Sequence, residues 1–229
     1  MQLAPPTKGK KSRFSYPANG LDSLSLATLS CRLNTTNSTT QEGKKVPLVI
    51  ITASAFEAQR LLEEIPYLAP DLTAKLNVSL LPDWETLPYD VFSPHPDLIS
   101  ERLATLYQVS QNQCDIVIVP IATALLRLPA VAYLAGHSFM LKKGQRLNLE
   151  ALRHQCAQAG YHHVTQVISP GEFSVRGGLL DLFPMGSVLP YRIDLFDDEI
   201  ETIRTFDIDT QRSLYPVPEI RLLPAREFK

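Results

Sequence analysis

Three places in this chain gather residue types that could do chemistry. The first is Thr52-Ala53-Ser54-Ala55-Phe56, where an apolar run of strand length meets the start of a helix pattern. Nucleotide-binding α/β proteins place a phosphate loop at such a junction. Its glycines let backbone N–H groups close around phosphates, and a Lys and a Ser/Thr supply charge and hold Mg²⁺. This junction has neither glycine nor lysine, and a phenylalanine stands just inside the helix. The helix N-terminus still favours an anion, but the specific ATP chemistry is missing. The second place is Asp197-Asp198-Glu199, a carboxylate run that could be imagined holding a metal. A tight corner favours Asp in any case, and without a phosphate loop there is no nucleotide metal to hold. The third is the pair Arg192 and Phe196 with Arg176 upstream, residue types that dominate protein–protein interfaces.

The elements that must position this third group lie between Gly171 and Asp207, which reads as a three-stranded antiparallel meander. Phe173 to Phe183 is one apolar strand ending at the turn cluster Pro184-Met185-Gly186-Ser187. Tyr191 to Phe196 alternates, Asp197-Asp198 makes a tight corner, and Glu199 to Phe206 returns. Side chains two apart share a strand face, so Tyr191, Ile193 and Leu195 form a core face and Arg192, Asp194 and Phe196 the opposite one. Two readings of that second face stand. Either Phe196 tucks under a loop and Arg192 pairs with Asp194 or another surface acid, or the face is a partner-binding patch. Arg176 alternates with Val175, but Gly177-Gly178 then reads as a bulge that interrupts the parity before Leu179.

Other candidates are weaker. His162 and His163 are adjacent and point oppositely on a strand, and His95, His137 and His154 have no ligand spacing. Cys31, Cys114 and Cys156 are far apart with no C-x-x-C, a set that suits a reducing cytosol. Lys142 to Arg146 is a basic turn. The loop 81–95 holds Trp84, Leu87, Tyr89 and Phe92, which are expected to pack it against the core. A base-stacking platform would want flanking Lys/Arg, and the flanks are Asp83, Glu85, Asp90 and Asp97.

The 229 residues suggest one or two domains. With 45% hydrophobic and 20% charged residues the composition is that of a globular protein, and a formal net charge of -2 argues against a chain built to grip a phosphate backbone. No run approaches the ~18 apolar residues of a membrane span, and the basic N-terminus lacks the apolar region of a secretory signal.

Along the chain, residues 1–17 read as a flexible tail and 18–136 as an α/β domain. In that domain Leu21 to Leu33 is a short helix and Asn34 to Lys45 a polar loop. Val46 to Ile51 is a strand buried on both faces. Ser54 to Glu57 forms a capping box for a helix running to Pro66. Lys75 to Leu81 is a second strand, Asp97 caps the next helix, and Asp115 to Val119 is another buried strand. Thr123 to Leu128 is a short helix closed by Pro129. The alternation predicts a mainly parallel sheet. Residues 137–214 read as a smaller α+β domain. It has a strand at His137 to Leu141, a helix capped by Asn148 and closed at Gly160, a strand at His163 to Ile168, and the meander. Residues 215–229 read as the start of a further segment.

The pattern Gly-x-Phe-x-Val-Arg-Gly, then Pro-x-Gly, then Tyr-Arg-Ile-Asp-x-Phe-Asp-Asp-Glu-Ile resembles the second domain of two bacterial repair families. One is UvrB, the excision-repair helicase subunit. The other is the transcription-repair coupling factors, whose N-terminal region is similar to UvrB. The Thr52 to Phe56 junction and the compact loop Leu81 to His95 resemble the coupling factors, which lack the UvrB phosphate loop and its tyrosine-rich hairpin. The resemblance implies a degenerate nucleotide-binding-like domain followed by a domain that docks UvrA, the damage-recognition ATPase. It implies an adaptor with no catalysis, cofactor or metal in this region, in a cytoplasmic protein with no membrane partner. The ATP-driven translocase and the contacts with RNA polymerase and DNA belong to other regions of the family protein, whose C-terminal domain masks the docking surface. Carried over by motif, Arg176, Arg192 and Phe196 are the residues expected to contact UvrA. A UvrB-like repair subunit and a nucleotide-binding α/β enzyme domain are the alternatives.

Overall fold

The computed structural model describes residues 9–11, 13, 21–37, 46–68, 76–86 and 90–228. In chain order the elements are α1 (Leu21–Asn37), β1 (Leu48–Thr52), α2 (Ala55–Leu68), β2 (Val78–Leu80), α3 (Pro96–Ser110), β3 (Ile116–Pro120), α4 (Ile121–Ala124), α5 (Val131–Gly136), β4 (Phe139–Lys142) and α6 (Leu149–Gln158). Then come β5 (His162–His163), β6 (Glu172–Arg176), β7 (Leu179–Phe183), β8 (Tyr191–Phe196), β9 (Glu199–Phe206), β10 (Ser213–Pro216) and β11 (Glu219–Leu222). They fall into two compact units, one from the described residues of 1–83 with 108–126, the other from those of 84–107 with 127–229. No helix among the described residues is long and apolar enough to cross a membrane.

The first unit holds a three-stranded parallel sheet in the order β1-β3-β2. The central strand β3 is buried at all five positions, and Ile116 and Ile118 pack on Ala58, Leu61 and Ile65 of α2 and Ala27 of α1. Burying each of the Ile and Leu side chains contributes about 1.5–3 kcal/mol. Strand β1 departs from expectation. Leu48 and Ile50 pack on this core, but Val49 and Ile51 are exposed. An apolar run of strand length does not tell one covered face from two, and β1 is the edge of this sheet. Helix α1 continues to Asn37, so Asn34 to Asn37 are helical where a loop was expected; 38–45, like most of 1–17, lie outside the described residues. Helix α2 runs two residues past Pro66. Strand β2 is only three residues long, and Lys75 is outside the described set.

In the second unit α3 begins at Pro96, and His95, not Asp97, caps it: the Asp97 N–H donates to His95 Nδ1 at 3.3 Å. Proline suits the first helical position because its missing N–H would be unpaired there. Helix α6 follows expectation. Asn148 Oδ1 accepts from the Ala151 N–H at 2.9 Å, Leu152 and Cys156 point inward, and Gly160 has φ +94. The expected strand at His163 to Ile168 is confined to His162 and His163.

The sheet of this unit has six strands in the order β10-β9-β8-β7-β6-β5. Phe173 to Phe183 is not one strand but the hairpin β6–β7, so the expected three-stranded meander has four strands. Gly177-Gly178 is its two-residue turn, with Gly177 at φ +60, and not a bulge. The inner face, with Leu180, Ile193 and Ile203, packs on Leu152 and Cys156 of α6 and on Leu103 of α3. Residues 215–228, the described part of the segment expected to begin a further domain, are woven into this unit. Strand β11 pairs with β4, and Ile220, Leu222 and Leu223 join the same core. Phe92, expected to pack its loop, is exposed. Leu87 and Tyr89 lie outside the described residues.

Candidate docking face

Strand register fixes which side chains share the outer face of the six-stranded sheet. Ser174, Asp181, Arg192 and Arg204 pair in one row across β6 to β9, and Arg176, Leu179, Asp194 and Thr202 in the next. Paired residues, and residues two apart, point to the same side. The pairing of β8 with β9 shifts between Asp194 and Leu195, but the extra residue, Glu201, is on β9, so β8 keeps its alternation and Phe196, two residues beyond Asp194, joins this face. The structure therefore brings Arg176, Arg192 and Phe196 onto one surface.

Their environments differ. Phe196 is 71% exposed and does not tuck under a loop. Arg192 is held in place. Its Nε donates to Asp181 Oδ1 at 2.7 Å, one terminal nitrogen to Asp181 Oδ2 at 2.9 Å, and the other to the Gln211 carbonyl at 2.9 Å. Its guanidinium also lies 4.9 Å from the Phe206 ring centroid, and its side chain is only 16% exposed. The hydrogen bonds that Arg192 donates to Asp181 push its pKa still higher, so the group is charged throughout the working range. Arg176 donates one bond to Asp181 Oδ2 at 2.6 Å while its side chain remains 54% exposed. Arg192 thus pairs with Asp181 and not with Asp194, whose carboxylate accepts from the Thr202 hydroxyl at 2.7 Å. Beside the arginines opens a cleft of about 560 Å³ lined by Thr165, Gln166, Arg176, Leu179, Arg192 and Gln211.

Asp181 is not legible from the sequence when Gly177-Gly178 is read as a bulge. Read as a two-residue hairpin turn, the same glycines place Asp181 opposite Ser174 and one strand from Arg192. A second missed pair is Arg102 and Glu227. Both side chains are fully buried and joined through two hydrogen bonds, the longer 3.2 Å, with Arg102 5.0 Å from the Trp84 ring centroid.

The other candidate sites take ordinary structural forms. At the strand–helix junction, Ser54 Oγ accepts from the Glu57 N–H and the Glu57 carboxylate accepts from the Ala53 N–H, both at 3.2 Å. The Glu57 carboxylate thus puts a negative charge in the first turn of α2, which disfavours a phosphate at this helix N-terminus. The acidic corner is a two-residue hairpin turn with Asp197 at φ +53, and Asp198 lies 3.8 Å from Arg146. No group of three or more His, Cys, Asp or Glu is placed to hold a metal ion among the described residues.

Residues 139–228 match the family model described as the UvrB interaction domain. Over 182 residues, 80% of this chain, it is 52% identical to a transcription-repair-coupling factor of Escherichia coli K12. It is 49% identical to that of Haemophilus influenzae over 77% of the chain, and 31% identical to that of Bacillus subtilis over 80%. In each case the match spans about 15% of the relative's length.

Proposed function

The chain belongs with the UvrB-homology regions of transcription-repair-coupling factors, and from that premise we propose that it is an adaptor for the repair protein UvrA. The docking surface is the outer face of β6 to β9, and its task is to bring UvrA to DNA where RNA polymerase has stalled. This region performs no catalysis and holds no cofactor. ATP-driven movement and the contacts with polymerase and DNA are assigned to other parts of the coupling factor, which acts in the cytoplasm. A C-terminal domain of the same polypeptide masks the face until it is needed.

One observation carries the reading: Phe196, a large aromatic, stands 71% exposed on the same sheet face as two arginines. An exposed aromatic fills an apolar pocket on a partner, while an arginine offers charge-assisted hydrogen bonds to its carboxylates. The Glu57 carboxylate at the junction counts against a nucleotide-binding enzyme or a UvrB-like helicase subunit. The net charge of -2 counts against direct duplex binding.

The test is a pull-down of purified UvrA by the immobilised chain without nucleotide. Retention by the wild type and loss with Phe196→Ala is the expected result. No retention by the wild type sinks the proposal.

A further inference from the structure

We infer that Asp181 is the positioning residue of this face: a single buried carboxylate that fixes the Arg176 and Arg192 guanidinium groups relative to each other before any partner arrives. The inference rests on the adaptor reading above.

The Asp181 side chain is 2% exposed, and both its oxygens are used. Together they accept three hydrogen bonds from two arginines on two different strands. Arg192 spends three of its N–H groups on Asp181 and the Gln211 carbonyl. Gln211 is itself tied down, its amide donating to the Ile208 carbonyl at 2.9 Å and the Val167 carbonyl at 3.3 Å. Arg176 gives Asp181 one hydrogen bond and keeps more than half of its side chain in solvent at the cleft. Arg192 is therefore the brace and Arg176 the reaching group. A free surface arginine loses rotamer freedom when it binds. One already held at its guanidinium loses less, which favours affinity.

The sign of one substitution separates this role from a purely electrostatic one. Two guanidinium groups against one carboxylate leave the trio with a surplus positive charge. Removing the carboxylate raises that surplus, so a face acting only through its field would bind an acidic partner more tightly. A face that depends on positioning binds more weakly.

The experiment is calorimetric titration of UvrA into the 229-residue chain and its variants. Asp181→Asn is expected to weaken binding about tenfold despite the added net positive charge, and to reduce the further loss caused by Arg176→Ala. Should Asp181→Asn fail to fold, Arg192→Lys keeps the charge and removes the fork. It is expected to weaken binding and to show the same coupling to Arg176. Unchanged or tighter binding by the folded Asp181→Asn variant overturns the inference, as does wild-type affinity of Arg192→Lys. Phe196→Ala separates the two failures. If it weakens binding while Asp181→Asn does not, only the positioning role falls. If the wild type does not bind UvrA, the adaptor reading falls and takes this role with it.

Discussion

Asp181 grips Arg192 at two points, Nε at 2.7 Å and a terminal nitrogen at 2.9 Å, on the sheet face that also carries the exposed Phe196. The pairing gives Arg192 two roles that a binding experiment alone would confuse, since it braces the sheet as well as facing the cleft. Arg192→Ala is expected to lower folding stability by about 2 kcal/mol or more, because it strips a buried carboxylate of its main partner. Phe196→Ala removes a largely exposed ring and is expected to stay within about 0.5 kcal/mol of wild type. Urea unfolding of the two variants reads the difference directly.

The Arg102–Glu227 pair ties α3 to the C-terminal segment with no solvent to compensate either charge. Glu227→Ala is expected to cost about 3–5 kcal/mol, the range for removing one partner of a buried ion pair. Arg102→Met combined with Glu227→Leu should recover most of that loss. Denaturant midpoints of the single and double variants check this, and additive losses would contradict it.

Burial pushes the Cys156 thiol from its ordinary 9.0 up to about 12 and raises the Tyr161 hydroxyl above its ordinary 10.0. The Tyr161 hydroxyl donates to the Leu223 carbonyl at 2.7 Å. Both groups are protonated in the fold and ionise more readily when unfolded. The stability they contribute is therefore fully present below pH 9 and is lost as pH rises toward 12. Urea midpoints measured from pH 7 upward should fall above pH 9, and Tyr161→Phe should flatten the decline.

Gly178 sits where a Cβ would lie 3.0 Å from the Leu195 carbonyl oxygen, a backbone atom that cannot swing away. The Leu195 N–H donates to the Gly178 carbonyl at 2.8 Å, so the turn is bonded to the strand that presents Phe196. Gly178→Ala is expected to cost about 1–3 kcal/mol as overpacking. Gly177 has open space around its missing Cβ but φ +60, so its substitution costs backbone strain instead. Thermal unfolding of both variants measures the two effects.

How much of this was legible in the chain depends on the range of each interaction. The capping residues Ser54 and Asn148, the C-terminal glycine Gly160 and the alternation of Tyr191 to Phe196 are set within a few residues, and all four stand as read. Period-2 alternation put Arg192 and Phe196 on one face because a strand has no other choice. Partners distant in sequence did not show. Arg102 meets Glu227 across 125 residues, and nothing local to either marks the other. Val49 and Ile51 look like core because apolar content says nothing about which neighbours cover a strand. Asp181 lies between these cases, because its partner depends on whether two glycines form a bulge or a turn.

The central claim is that the outer face of β6 to β9 docks UvrA, and Phe196 tests it most cleanly because its ring is 71% exposed and contributes little to the core. Titration of UvrA into wild type and Phe196→Ala, with unfolding curves confirming equal stability, is predicted to show a loss of about 2 kcal/mol or more in binding, the hot-spot range. Equal affinity for the two folded proteins would contradict the account.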